Sequence, residues 1–171
     1  FKGTTAEAVR DLSIMGEMRR GIEAGELFLA YQPKLDLKSG KVTHAEALVR
    51  WRHPVDGLVP PDRFLPLAEE TGAVRELTRF VMRRALADAR EAARSKLNIG
   101  ISVNVSAADI GEPAFADEVL RMLGRTEVEP SKLTLEITES ALIRSPETAL
   151  TVLRALRDHP DPLEREVAAV G

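Results

Sequence analysis

The chain has 171 residues, 44% apolar and 30% charged, with 24 Lys and Arg against 27 Asp and Glu and a net charge of −3. That is enough for one domain with a core, while the well-mixed charge lacks the basic face that general DNA or RNA binding needs. The absence of cysteine excludes disulfides and thiolate chemistry, and three scattered histidines give no zinc-ligand spacing.

Residues 5–24 carry Val9, Leu12, Met15, Met18 and Ile22 at helical spacing, so a lead-in helix is predicted within residues 1–26, ended by Gly25. "LFLAYQPKL" (27–35) predicts a strand, "KSGK" (38–41) a hairpin turn and "VTHAEALVRW" (42–51) the return strand. "HPVDGLVPP" (53–61) has the Pro and Gly of a loop. Helices are predicted over 62–72, closed by Gly72, and over 74–95, with Leu77, Val81 and Leu86 among its apolar positions. A strand follows at 97–106, a helix at 113–125 opened by Pro113, a strand at 132–140, and a helix at 145–158 with Ser145 as N-cap and Pro146 at N1. After the antiparallel hairpin, strands alternate with helices, the pattern of an α/β parallel sheet. No apolar run approaches the roughly 18 residues of a transmembrane helix, and no charged-then-apolar leader opens the chain. A cytoplasmic protein with no membrane segment in this chain is expected.

Side chains alternate faces along a strand. In 42–50 the even positions hold Glu46, Leu48 and Arg50, and in 97–106 they hold Ser102 and Asn104. In 133–139 they hold Thr134 and Glu136, while Leu97, Ile99, Ile101, Val103, Leu133 and Leu135 are odd. Each strand therefore has one apolar face and one more polar face, whereas a sheet covered on both sides reads apolar on both. A polar second face suits the inside of a barrel near its active-site end. On that face Glu46, Asn104 and Glu136 can converge as hard oxygen donors of the kind that suit Mg²⁺ or Mn²⁺. Arg50 lies two pleats, four residues, beyond Glu46, near the strand end, where a phosphate could meet it.

These residues carry a resemblance. "YQPKLDLKSGKVTHAEALVRWRHP" resembles the opening of an EAL domain, the bacterial cyclic di-GMP phosphodiesterase family, and "EALVRW" matches the motif that names it. "GLVPPDRFLPLAEETG", "ISVNVSAADI" and "LTLEITESAL" are similar to its next three blocks, in order, so that residues 20–158 are covered. The resemblance implies a modified TIM barrel with an antiparallel first strand. It implies that Glu46, Asn104 and Glu136 are metal ligands in a two-metal Mg²⁺ or Mn²⁺ site. Gln32, Leu48 and Arg50 would touch the dinucleotide, and Glu139 would steady a loop over the site. The implied reaction opens cyclic di-GMP to linear pGpG, with metal-activated water.

After "TES" the family continues with an Asp-Asp-Phe-Gly strand, a strand lysine, a late Glu-Gly-Val-Glu block and a glutamine, and none of these follows here. The last lysine is Lys132, and Asp158 and Asp161 are not adjacent. A TIM barrel typically needs about 250 residues, so residues 27–158 are expected to form the N-terminal part of an EAL domain, about half a barrel of four strands. The tail 159–171 resembles no family block. The expected function is cyclic di-GMP signalling by descent from a phosphodiesterase, with this chain inactive alone. The alternative is a degenerate module that binds nucleotide or a protein partner without catalysis. A half-barrel leaves two sheet edges open and bares Phe28, Ala30 and Leu48 around the site. A homodimer, or another EAL or GGDEF-type signalling domain, is the expected cover, with Val167, Ala168, Ala169 and Val170 reaching across.

Overall fold

Strand β1 (Leu27–Asp36) turns back into β2 (Lys41–His53). The turn is made by Asp36, whose carboxylate accepts from the amides of Lys38 (2.7 Å) and Ser39 (3.4 Å), and by Gly40 at φ 65°. Those two backbone donors hold the Asp36 carboxyl below the usual range. The structure is a computed structural model that describes residues 16–137, 146–158 and 164–166.

The described part of helix α1 covers residues 16–24. After the hairpin come β3 (Gly57–Val59), α2 (Pro61–Thr71), α3 (Val74–Arg94), β4 (Gly100–Val105), α4 (Ala107–Ile110) and α5 (Phe115–Leu123). A 3₁₀ turn at Pro130–Lys132 leads into β5 (Leu133–Ile137), and α6 (Pro146–Arg157) and β6 (Glu164–Glu166) follow. The sheet order is β1-β2-β4-β5-β6, with β3 beside β2. β1 and β2 are antiparallel, and β2, β4, β5 and β6 run parallel. This is the expected α/β architecture, a partial TIM-barrel-like sheet with an antiparallel first strand. The odd residues of β4 and β5 are buried and join one core with Leu77, Met82 and Leu86 of α3.

Three expectations are corrected. Among the described residues the sheet has six strands, not four, because β3 lies in the 53–61 stretch expected to be a loop and β6 in the tail. Each is three residues long, too short for alternation to show in the sequence. β6 pairs with β5, so the edge expected to be open there is met by the chain's own tail. Residues 167–170 lie outside the described residues. Phe28, Ala30 and Leu48 are half-buried rather than bare.

The third correction is the start of β4, at Gly100 rather than 97. Helix α3 closes with a Schellman motif: the Lys96 N–H donates to the Ala93 carbonyl (3.0 Å) and the Leu97 N–H to that of Ala92 (2.9 Å). The motif places Lys96 at φ 64° and leaves Leu97 54% exposed instead of in the core. A side chain is disfavoured in that backbone region, where glycine is not. Lys96→Gly is therefore expected to stabilise the chain by about 0.5–1 kcal/mol. Urea unfolding checks this, and a loss of stability would contradict the assignment of strain.

Candidate functional site

The strand register assembles the polar face. Glu46 of β2 stands between Gln32 of β1 and Ser102 of β4, and the row continues to Thr134 of β5 and Glu164 of β6. Two residues further along, Asn104 is beside Glu136, and Glu136 beside Glu166. The Asn104 Nδ2 donates to Glu46 Oε1 at 2.8 Å. That contact ties β2 to β4 and leaves the amide oxygen of Asn104 available as a ligand.

Glu136 is 7% exposed, and its Oε1 accepts from the Lys34 ammonium. Lys34 belongs to β1, three strands away along the sheet. In a flat sheet three spacings amount to about 14 Å, so the contact requires the sheet to curl toward its polar face. That face is thus the concave one, as the alternation predicts. Ser102 lies between Glu46 and Thr134, 1% exposed, and its hydroxyl has no hydrogen-bond partner among the described residues. A buried hydroxyl left unpaired is costly, and this one lies on the face that gathers Glu46, Asn104 and Glu136.

The β2–β4 pairing ends at Ala47 and Val103. Beyond it the strands part around a cavity of about 660 Å³ at their carboxyl ends, lined by Leu48, Arg50 and Asn104 and by Leu65 and Leu77 of α2 and α3. Ligand sites of barrel and open α/β sheets lie at this end of the strands. Arg50 is half-buried and donates through Nη1 to the Val49 carbonyl (2.8 Å). No carboxylate pairs with it among the described residues, whereas Arg75, Arg79 and Arg90 pair with Glu112, Glu118 and Glu127. Arg50 shares the cavity lining with Glu69.

Of the expected site residues, the structure joins Glu46 to Asn104 by a hydrogen bond and sets Glu136 beside Asn104. Gln32 is exposed on β1 opposite Glu46, and Leu48 and Arg50 share the cavity. Glu139 lies outside the described residues. Lys34 was missed, although it has the same parity as Gln32 and so belongs to the same face. Among the described residues no group of three or more His, Asp or Glu is arranged to hold a metal ion. The donor set is two carboxylates and one amide oxygen, with the unpaired Ser102 hydroxyl nearby. These hard oxygens fit a divalent cation such as Mg²⁺ or Mn²⁺ with open positions left for water or substrate.

A family model described as "EAL domain" matches residues 15–159. The chain is 42% identical over 158 residues to an uncharacterised signalling protein of Caulobacter vibrioides, covering 92% of this chain and 19% of that one. It is 38% identical over 150 residues to a cyclic di-GMP phosphodiesterase of Pseudomonas aeruginosa, covering 87% of this chain and 26% of that one. The solved MucR phosphodiesterase in complex with c-di-GMP superposes with a TM-score of 0.82 at 33% identity, over 91% of this chain and 62% of that one. The chain thus spans about a fifth to a quarter of these two curated relatives. With the antiparallel first strand and the glutamate of "EALVRW" facing the concave side, the chain belongs to the EAL domain family of cyclic di-GMP signalling.

Proposed function

We propose that this chain carries the first half of a metal-dependent cyclic di-GMP site, derived from a phosphodiesterase that opens the cyclic dinucleotide to pGpG. The observation that carries this reading is the Glu46–Asn104 hydrogen bond, with Glu136 buried in the next register position of the same concave face. Glu46, Asn104 and Glu136 would hold Mg²⁺ or Mn²⁺, which when bound supplies an acidified water and charge neutralisation at the phosphoryl group. The chain's own residues orient the substrate. Arg50, without an acidic partner among the described residues, pairs with a phosphate. Leu48 offers an apolar wall beside it, and Gln32 an exposed amide across from Glu46. The partner is thus a cyclic dinucleotide. Within a longer protein, a GGDEF-type domain or a second copy is the proposed neighbour.

A second reading, a binding module without turnover, is favoured by the Lys34 ammonium already on Glu136. Incubation with cyclic di-GMP and Mn²⁺, followed by chromatography, separates the two. The 171-residue chain alone is expected to bind the dinucleotide without producing pGpG. Accumulation of pGpG above that of a Glu46→Ala control would overturn the expectation. Arg50→Ala is expected to weaken dinucleotide binding about 10–100-fold, the scale of one charge-assisted contact. Unchanged affinity by titration calorimetry would remove Arg50 from the site.

A further inference from the structure

We propose that Lys34 is the resident counter-ion of the concave face, and that a divalent cation enters the site by displacing its ammonium from Glu136. This rests on the metal reading of the site given above. Glu136 is buried on the central part of the sheet, and Lys34 is its one hydrogen-bond partner among the described residues. A carboxylate that far from water must be paired or neutralised. The pairing cation comes from a distant strand and reaches over β2 and β4 to arrive. Its side chain is 31% exposed against 7% for Glu136. The two ends of the pair are therefore unequal: the carboxylate is fixed in the sheet, while the lysine stem has solvent to retreat into.

The charges make the two occupants exclusive. An ammonium has three donors and no lone pair, so it cannot share in coordinating a metal. A dication on Glu136 would lie within a few ångströms of it, and like charges at that range in a poorly solvated site repel strongly. The orphaned Ser102 hydroxyl shows that the lysine does not satisfy the whole face. The lysine meets the Glu136 carboxylate, and among the described residues Glu46 is met by the amide donor of Asn104. The ammonium thus keeps the face folded without metal, and its displacement lowers the metal affinity by mass action. The site has two alternative closed states, one held by Lys34 and one by a dication.

The test measures free Mn²⁺ by electron paramagnetic resonance during titration of the full chain and of its Lys34→Met and Lys34→Arg variants. Lys34→Met keeps the stem and removes the charge, and is expected to bind Mn²⁺ at least tenfold more tightly than wild type. Lys34→Arg, which keeps the charge, should show no such gain. The metal-free Lys34→Met chain should also melt lower than wild type and recover with Mn²⁺. A second measurement uses the wild-type chain and so survives a variant that does not fold. Acetylation mapped by mass spectrometry should show Lys34 reacting several-fold faster with Mn²⁺ present, with Lys38 and Lys41 unchanged. If wild type binds Mn²⁺ while Lys34→Met binds it no tighter, or if Lys34 labelling does not respond to bound Mn²⁺, the lysine's role is overturned and the metal site stands. If folded wild type and folded Lys34→Met both ignore Mn²⁺, the metal reading falls and this proposal with it.

Discussion

Glu46→Ala is expected to lower cyclic di-GMP turnover by on the order of 10²–10³-fold in a longer, active chain containing this segment, the scale of losing one charge-stabilising group in an active site. Two losses combine. The concave face loses one of its carboxylates, and Asn104 loses the acceptor that holds its amide at 2.8 Å. Glu46→Gln separates them, since its amide oxygen can still accept from Asn104 while the charge is gone. If charge dominates, Gln and Ala variants fail alike; if positioning of Asn104 dominates, Gln recovers much of the rate. Glu46→Ala retaining more than about a tenth of the wild-type rate would place Glu46 outside the chemistry, because a single lost neutral hydrogen bond is worth about that factor. The measurement is the initial rate of pGpG formation with saturating Mn²⁺. Circular dichroism serves as the control for fold.

Strand parity was enough to put Glu46, Asn104 and Glu136 on one face. Alternation is a property of the backbone pleat and needs no tertiary information. Parity also contained Lys34, but a lysine on an edge strand is usually solvated, and only the curl of the sheet brings it to Glu136. The start of β4 was hidden for a local reason. Helix C-termini are usually announced by a glycine in the left-handed region, and here Lys96 occupies it. Leu97 and Ile99 therefore looked like the first inward residues of a strand that begins at Gly100. β6 was invisible because "ERE" has no apolar position to read, and its place beside β5 comes from backbone pairing alone. That pairing sets the backbone of Glu166 level with Glu136, on a strand where the sequence offered no family motif.

Trp51→Ala is expected to be among the most destabilising single changes, at about 3–5 kcal/mol. Trp51 is the chain's one tryptophan and is 1% exposed. It follows Arg50 on the opposite, apolar face of β2, and four elements converge on it. Its indole N–H donates to Glu26 Oε2 at 3.1 Å, and its ring meets Phe64 of α2 edge-on with centroids 5.6 Å apart. Leu27 of β1 and Val59 of β3 flank it in register. Gly21 of α1 comes so near that an added Cβ would stand 3.1 Å from the indole nitrogen and 2.9 Å from Glu26 Oε2. Truncation would leave a cavity under α1 and an unpaired, half-buried Glu26 carboxylate, and the neighbouring backbone could close it only by moving β2. Against a typical total stability of about 5–15 kcal/mol, that is a large share. Trp51→Phe keeps the contact with Phe64 but loses the donor to Glu26, for which about 1–2 kcal/mol is expected. Urea unfolding followed by far-ultraviolet circular dichroism ranks the three chains. Limited trypsin digestion adds a local reading, because an undocked α1 would expose Arg19 and Arg20 to early cleavage in Trp51→Ala. If Trp51→Ala lost less than about 1 kcal/mol and α1 stayed protected, the helix would be anchored by Met18 and the His53–Glu17 contact rather than by the tryptophan.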